Sequence, residues 1–164
     1  MYISRLATIT SCVSLSTAIT VTYIGFYDDD TVPLTELACW KDSRIVEGQD
    51  WATLGDVTYQ IAGYEEIDKP DSPFCGSCWS LSYGDTSRSV LVLNSAQVGS
   101  GFETSLTVMN SLTGGKAGQL GRVNITAHRT ELLDCGVATE PTEEERKMVV
   151  GGNRYSNWLY DNFT

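Results

Sequence analysis

The hydrophobic residues of this chain follow two different spacings. Most of them lie in stretches where β-branched and aromatic residues are concentrated, a pattern that predicts β-strands. These stretches are residues 21–27, 57–64, 78–83, 88–93 and 122–132. Residues 88–93 (RSVLVL) end in an uninterrupted apolar run, so we expect this strand to be covered on both faces. In residues 122–132 Val123, Ile125 and Ala127 alternate with polar residues, so we expect one face to meet solvent.

One segment has helical spacing instead. Its apolar residues recur every three or four positions: Phe102, Leu106, Met109 and Leu112. Gly114 and Gly115 supply a C-terminal stop. Ser100 and Glu103 have the spacing of a capping box, in which each side chain bonds a backbone N–H of the first turn. The pattern therefore predicts a mainly β domain with one short amphipathic helix.

The two ends of the chain differ from the middle. Residues 1–20 carry one charge, Arg5, and are otherwise small, hydroxylic or apolar. Ser16 and Ala18 are small residues at the −3 and −1 positions of a cleavage site, so we expect a secretory signal peptide over residues 1–20. Residues 138–164 are first charged and then rich in Gly and Asn, which predicts a disordered tail. The domain is expected over residues 21–137.

Charge excludes some classes of partner. The 164 residues contain 21 acidic side chains against 11 Lys and Arg, a formal charge of −10. Phosphate backbones and anionic membranes are bound by basic residues, so neither nucleic acid nor an anionic membrane is an expected partner. The apolar run near the N-terminus is too short and too rich in hydroxyls to span a bilayer. Strong acidity also favours a monomer.

The cysteines favour disulfides over redox or metal chemistry. If the leader is removed, Cys12 goes with it, and an even set with three possible pairings remains: Cys39, Cys75, Cys78 and Cys135. A redox-active Cys-x-x-Cys would begin a helix, whereas Cys75 and Cys78 are followed by a strand pattern. A zinc site would show a second close pair. We therefore expect two disulfides whose ends meet at 75 and 78, and no metal.

Catalytic and modification motifs are few. His128 is the only histidine, it lies in an alternating strand, and no nucleophile motif accompanies it. No spacing singles out the carboxylate pair that glycoside hydrolysis needs, so we assign no catalytic residue and no cofactor. Asn124-Ile125-Thr126 and Asn162-Phe163-Thr164 are candidate N-glycosylation sites. A predicted strand around the first and the chain end at the second both disfavour their use.

The order of motifs resembles a known family. The segments VTYIGFYDDD, CGSCWSL, SVLVLNSA, GFETSLTVMNSLTGG, LGRVNITA and CGV are similar, in this order, to those of the cerato-platanins, small secreted fungal proteins. The resemblance covers residues 21–137. It implies a six-stranded double-psi β-barrel with short helices and the pairings Cys39–Cys75 and Cys78–Cys135. It also implies a secreted, non-enzymatic protein that binds chitin-type oligosaccharides, loosens cell walls and acts as an elicitor in plants.

The chain departs from the family pattern at informative positions. The family's first Tyr-Asp is here Tyr23-Ile24, an Asp after the apolar strand is Asn94, and an Asn near the helix is Glu103. An amide cannot act as general acid or base, so Asn94 disfavours catalysis. The resemblance implies these carbohydrate-binding candidates: Tyr23, Tyr27, Asp28, Asn94 and Glu103.

Three functional hypotheses follow. The first is a non-catalytic protein that binds chitin or other cell-wall oligosaccharides. The second is a polysaccharide-cleaving enzyme on an expansin-like or endoglucanase-like barrel. The third is an elicitor that a plant receptor recognises, with sugar binding lost. Trp79 is expected in the core beside the disulfides, whereas Tyr23, Tyr27, Trp40, Trp51 and Tyr64 are open as either core or sugar-stacking residues.

Overall fold

The computed structural model describes residues 19–40 and 51–137. The expected tail and residues 1–18 of the expected leader lie outside this part of the chain. The described strands are β1 Ile19–Tyr23, β2 Ile61–Tyr64, β3 Ser77–Tyr83, β4 Thr86–Ser95, β5 Phe102–Thr104 and β6 Arg122–Thr130. The helices are α1 Leu106–Thr113 and α2 Ala117–Leu120, with short 3-10 turns at Gly25–Asp28, Leu34–Glu36, Leu54–Asp56 and Leu132–Cys135.

The six strands close into a barrel in the order β1-β5-β2-β4-β3-β6, with β6 returning to β1. The pairs β1–β5 and β2–β4 are parallel and the other four are antiparallel. Closure gives each of the six described strands two neighbours, so none of these six has an unpaired edge. The expected fold class, a mainly β six-stranded barrel with short helices, is confirmed.

The core follows the two patterns seen in the sequence. Val90, Leu91, Val92 and Leu93 of β4 are all buried, as continuous apolarity predicts. In β6, Val123 and Ile125 are buried while the alternating residues Arg122, Asn124 and Thr126 are exposed. Helix α1 buries Val108, Met109 and Leu112 against the barrel. No helix among the described residues is long and apolar enough to cross a membrane.

The helix begins later than the sequence pattern suggests, and the predicted capping box is wrong. Phe102 and Glu103 belong to β5, and α1 begins at Leu106 with Ser105 as the N-cap, whose hydroxyl accepts from Val108 N. The Ser100 hydroxyl instead donates to the Gln97 carbonyl. Tertiary pairing of β5 between β1 and β2 overrides the local spacing. The predicted stop is confirmed, since Gly114 ends α1 in the left-handed conformation.

The first strand also differs from its predicted bounds. It begins at Ile19, two residues before the expected domain boundary, because Ile19 and Thr20 pair with Ile125 and Asn124 of β6. It ends at Tyr23, since the backbone turns into the 3-10 segment Gly25–Asp28.

Two disulfides join the neighbouring Cys75 and Cys78 to different parts of the chain. Cys39 pairs with Cys75 and Cys78 pairs with Cys135, across 36 and 57 residues. This is the pairing implied by the family resemblance. In the chain-entropy model, loops of this length stabilise the folded state by about 4 kcal/mol each. Both bridges therefore anchor peripheral segments to the start of β3.

Gly63 of β2 is a strand position where the barrel wall leaves no room for a side chain. A Cβ there would lie 2.5 Å from the Ser95 carbonyl oxygen and 2.6 Å from the Tyr27 hydroxyl oxygen. We expect Gly63→Ala to lower the free energy of unfolding by about 1–3 kcal/mol through overpacking, measured by urea denaturation. Gly118→Ala in α2 is the control, because nothing lies within 4 Å of its Cβ position. A Gly63→Ala protein as stable as Gly118→Ala would contradict this packing.

Candidate functional site

An open groove of about 250 Å³ lies where β2, the turn at residues 25–28 and the start of α1 meet. Its lining is polar and aromatic at the surface and apolar at its base: Tyr27, Asp28, Asp30, Leu54, Val57, Tyr59, Gln60, Ile61, Ser105 and Thr107. Two of these side chains are acidic and none is basic. The lining therefore suits a neutral polar ligand better than an anionic one.

Asp28 fixes one wall of the groove. Its two carboxylate oxygens accept from the Leu106 backbone N–H at 2.8 and 3.1 Å. That N–H belongs to the first turn of α1, where a negative charge is favourable. The interaction ties the turn at residues 25–28 to the helix across 78 positions of sequence. Asp28 thus has a structural task that uses both of its oxygens.

The opposite wall is held by Asp56. One of its carboxylate oxygens accepts from the backbone N–H groups of Thr53 and Ala52, both at 2.9 Å. These hydrogen bonds, the one from Thr53 first, hold the Asp56 pKa below its usual value. They fix the short turn that places Leu54 and Val57 in the groove. Tyr59 follows this turn and packs edge-on against Trp51, with ring centroids 5.7 Å apart.

Beside the groove, three residues form a row across neighbouring strands. Asn94 of β4 lies opposite Gly63 of β2, and Gly63 lies opposite Glu103 of β5. Directly opposed residues point to the same face of a sheet. Because Gly63 has no side chain, the row has a gap at its centre, and the Tyr27 hydroxyl fills it. We call Tyr27, Asn94 and Glu103 the row cluster.

The Tyr27 hydroxyl is buried and, within the described residues, has no hydrogen-bond partner. Burial raises the pKa of Tyr27 far above its usual value, and the negative charge of Glu103 adds to this rise. The Asn94 side chain lies beside the phenol and opposes the shift, although it does not reach hydrogen-bond geometry. Tyr27 is therefore held as a neutral phenol next to a buried acid.

The other two members of the row cluster bind the backbone. Asn94 Oδ1 accepts from Ala38 N and Ser95 N, both at 3.0 Å, which fixes the chain beside Cys39. Glu103 is only 8% exposed, and its Oε1 accepts from Gln97 N at 3.1 Å. Both side chains thus use one oxygen to position a loop.

The structure brings only part of the predicted set together. Tyr27, Asn94 and Glu103 form the row cluster, and Asp28 lies in the adjoining groove. Tyr23 lies opposite Thr104, one residue beyond the Thr22–Glu103 pair. Successive strand residues point to opposite faces, so its side chain leaves the face that carries the cluster.

Some of the groove residues were not expected from the sequence: Tyr59, Gln60 and Thr107. They sit in a loop, at a strand end and in a first helical turn, so only the tertiary fold brings them together. Tyr64, one of the aromatic residues that could belong either to the core or to a sugar-stacking surface, stacks on Phe102 with ring centroids 4.5 Å apart. Trp79 contacts both rings and donates to Ser77 Oγ, as expected of a residue packed on the core. His128 is exposed on the outer wall.

The comparisons with known proteins identify the family. A cerato-platanin family model matches residues 19–137. The chain belongs to the cerato-platanin family. It is 26% identical over 133 residues to the "Allergen Asp f 15 homolog" of Arthroderma benhamiae, a match that covers 80% of this chain. The chain spans 64% of the length of that relative.

Solved structures agree with this assignment. Cerato-platanin 1 from M. perniciosa superposes with a TM-score of 0.63 at 27% identity, over 72% of this chain and 99% of the other. The solution structure of "the fungal elicitor Cerato-Platanin" gives a TM-score of 0.56 at 24% identity, over 71% and 96% of the two chains. The latter likeness bears on the fold alone. Members of this family are secreted fungal proteins that include elicitors.

Two of the three expected departures from the family pattern, Asn94 and Glu103, lie together in the row cluster. At two positions where the resemblance implies an acid and an amide, this chain has the amide Asn94 and the acid Glu103, one on each side of Gly63. The row therefore carries one acidic side chain, Glu103, on the β5 side of Gly63.

This arrangement predicts coupling between the two positions. We expect Asn94→Asp alone to lower the free energy of unfolding at pH 7 by about 1–2 kcal/mol, because two carboxylates would then face each other across roughly 10 Å of poorly solvated wall. Glu103→Gln keeps the acceptor for Gln97 N, so the double variant should recover most of this loss. Urea midpoints of the four proteins measure the coupling. Strictly additive effects would contradict a shared electrostatic environment.

Tyr27 predicts a pH dependence at the alkaline end. The pKa of Tyr27 is raised in the folded state. Below about pH 10, the usual tyrosine pKa, the phenol is neutral in both the folded and the unfolded protein, so its ionisation does not change the free energy of unfolding. Above that pH the unfolded phenol ionises first, and stability falls by about 1.4 kcal/mol per pH unit. We expect Tyr27→Phe to be at least as stable as the parent at pH 8 and increasingly more stable above pH 10. Tyr83→Phe is the control, and identical alkaline profiles for parent and Tyr27→Phe would refute the assignment.

Proposed function

We propose that this protein is a secreted, non-catalytic cell-wall protein that binds chitin-type oligosaccharides in the groove and acts as an elicitor and wall-loosening effector. The observation that carries the proposal is the groove itself, which combines the half-buried ring of Tyr59 with amide and hydroxyl groups. Aromatic faces supply stacking area, and polar groups supply orientation, as sugar recognition requires. Family membership and two disulfides support the extracellular setting.

The charge of the groove selects among polysaccharides. Asp28 and Asp30 are its ionisable side chains apart from the tyrosines. N-acetylglucosamine oligomers are neutral and offer amide and hydroxyl groups to these acceptors. Uronic-acid polymers would be repelled by the same carboxylates. The groove therefore favours chitin-type ligands over acidic wall polymers.

The surroundings of the groove argue against hydrolysis. A retaining or inverting glycosidase needs one carboxyl as acid and another as base or nucleophile. Asp28 is committed to the α1 N-terminus, the row position of Asn94 carries an amide, and Glu103 is buried and bound to Gln97 N. Asp30 alone cannot fill both roles. This is why we place the protein among binders and not among enzymes.

A titration with N-acetylglucosamine tetramer and hexamer tests the proposal. We expect saturable changes in the amide NMR signals of Gln60 and Thr107 and in the fluorescence of Trp51, which packs on Tyr59. Tyr59→Ala should weaken binding about fivefold or more, since loss of an aromatic contact costs about 1 kcal/mol beyond the lost buried area. No reducing ends should be released from chitin.

Tyr83→Ala is the matched control, because Tyr83 is also half-buried but lies outside the groove. Galacturonic-acid oligomers are the matched ligand control and should not bind. If neither oligomer changes any signal at millimolar concentration while the protein still elicits plant defence, the receptor-recognised alternative is favoured. Product release abolished by Asp30→Asn would instead favour the enzyme.

A further inference from the structure

Strand β6 carries a sequence motif that the groove does not use. Asn124-Ile125-Thr126 has the form of an N-glycosylation acceptor, Asn-x-Thr. A strand position was expected to disfavour its use. In the structure, the motif lies in the middle of the outer barrel wall, and its three residues divide between the two faces of the strand.

The two residues that the modification needs both point to solvent. Asn124 and Thr126 are exposed, while Ile125 between them is 3% exposed and packs in the core. A glycan added to a chain before folding is compatible with the folded state only if its asparagine stays outside the core. The alternation of β6 satisfies that condition, because its buried contacts come from Val123 and Ile125.

Space is available around Asn124 on one flank. The pairing of β6 with β3 ends at Thr126–Ser82, so no β3 residue is paired with Asn124. The chain there turns at Gly84, where an added Cβ would meet nothing within 4 Å. On the other flank Asn124 pairs with Thr20, whose hydroxyl is engaged with the Ser100 carbonyl. A bulky substituent can therefore leave the wall over the β3–β4 turn.

The position of β6 in the barrel keeps this site away from the groove. In the closed order β1-β5-β2-β4-β3-β6, three steps in either direction separate β6 from β2. Strand β2 carries Ile61 at the groove and Gly63 between Asn94 and Glu103 of the row cluster. A substituent on the outer face of β6 thus projects from the wall diametrically opposite the proposed sugar-binding face.

We propose that Asn124 is an N-glycosylation site whose glycan covers the β1–β6–β3 face and leaves the groove free. In the transfer, Asn124 Nδ2 forms a bond to the anomeric carbon of a lipid-diphosphate-linked oligosaccharide. The carbon–oxygen bond to the diphosphate breaks, the lipid diphosphate leaves with the electron pair, and the amide loses one proton to a base of the transferase. Thr126 supplies the hydroxyl that the acceptor motif requires.

The inference rests on the proposed function only for secretion, because the transfer takes place in the secretory pathway. Expression of the full chain in a fungal secretory host tests both. We expect the secreted protein to lose mass on treatment with peptide N-glycanase, with deamidation at position 124 in the peptide that spans β6. Asn124→Gln and Thr126→Val should abolish that change, whereas Thr126→Ser retains the motif and should keep it.

Asn162→Gln removes the second Asn-x-Thr motif and should leave the modification at position 124 intact. Glycosylated and enzymatically deglycosylated protein should bind N-acetylglucosamine oligomers with equal affinity. A secreted protein unmodified at Asn124, or modified at Asn162 alone, overturns this inference and leaves the proposed function standing. Affinity that rises after deglycosylation overturns the separation of the two faces. Retention of the full chain inside the cell overturns both proposals.

Discussion

The close approach at Gly63 is the contact on which the rest of the site depends. Because β2 has no side chain there, the Ser95 carbonyl and the Tyr27 hydroxyl both come within van der Waals range of one backbone position. Tyr27 in turn brings the 25–28 turn against the barrel, where Asp28 reaches the first turn of α1. The groove lies between these elements. A missing side chain therefore determines where a loop, a helix and a sheet meet.

The elements with strong periodicity were predictable from sequence, and the short ones were not. The runs at 78–83, 88–93 and 122–132 correspond to β3, β4 and β6, because each buries enough apolar surface to show its pattern. Strand β5 has three residues, all buried between two neighbours, and a segment so short carries no readable period. Phe102 consequently matched the helical spacing of α1, and the spacing of Ser100 and Glu103 imitated a capping box.

The candidate site was predictable only in part for a related reason. Tyr27, Asn94 and Glu103 could be singled out individually by resemblance to the family. Their convergence depends on strand register, since Asn94 and Glu103 meet only through their shared partner Gly63. Tyr59, Gln60 and Thr107 carry no local signal that distinguishes them from other surface residues. Register and loop placement are long-range properties, and a single sequence does not encode them locally.

The pairing of Ile19 with Ile125 limits how the chain can be matured by proteolysis. Strand β1 closes the barrel between β5 and β6, and its first residues form the backbone pairing with β6. A peptidase that cut within residues 19–23 would remove paired residues of β1 and leave β5 and β6 with unpaired edges. A cut after Ala18 spares every paired residue. The register of β1 therefore sets a limit on the expected signal peptide, since a cleavage beyond the Ala18–Ile19 bond would remove residues that pair with β6.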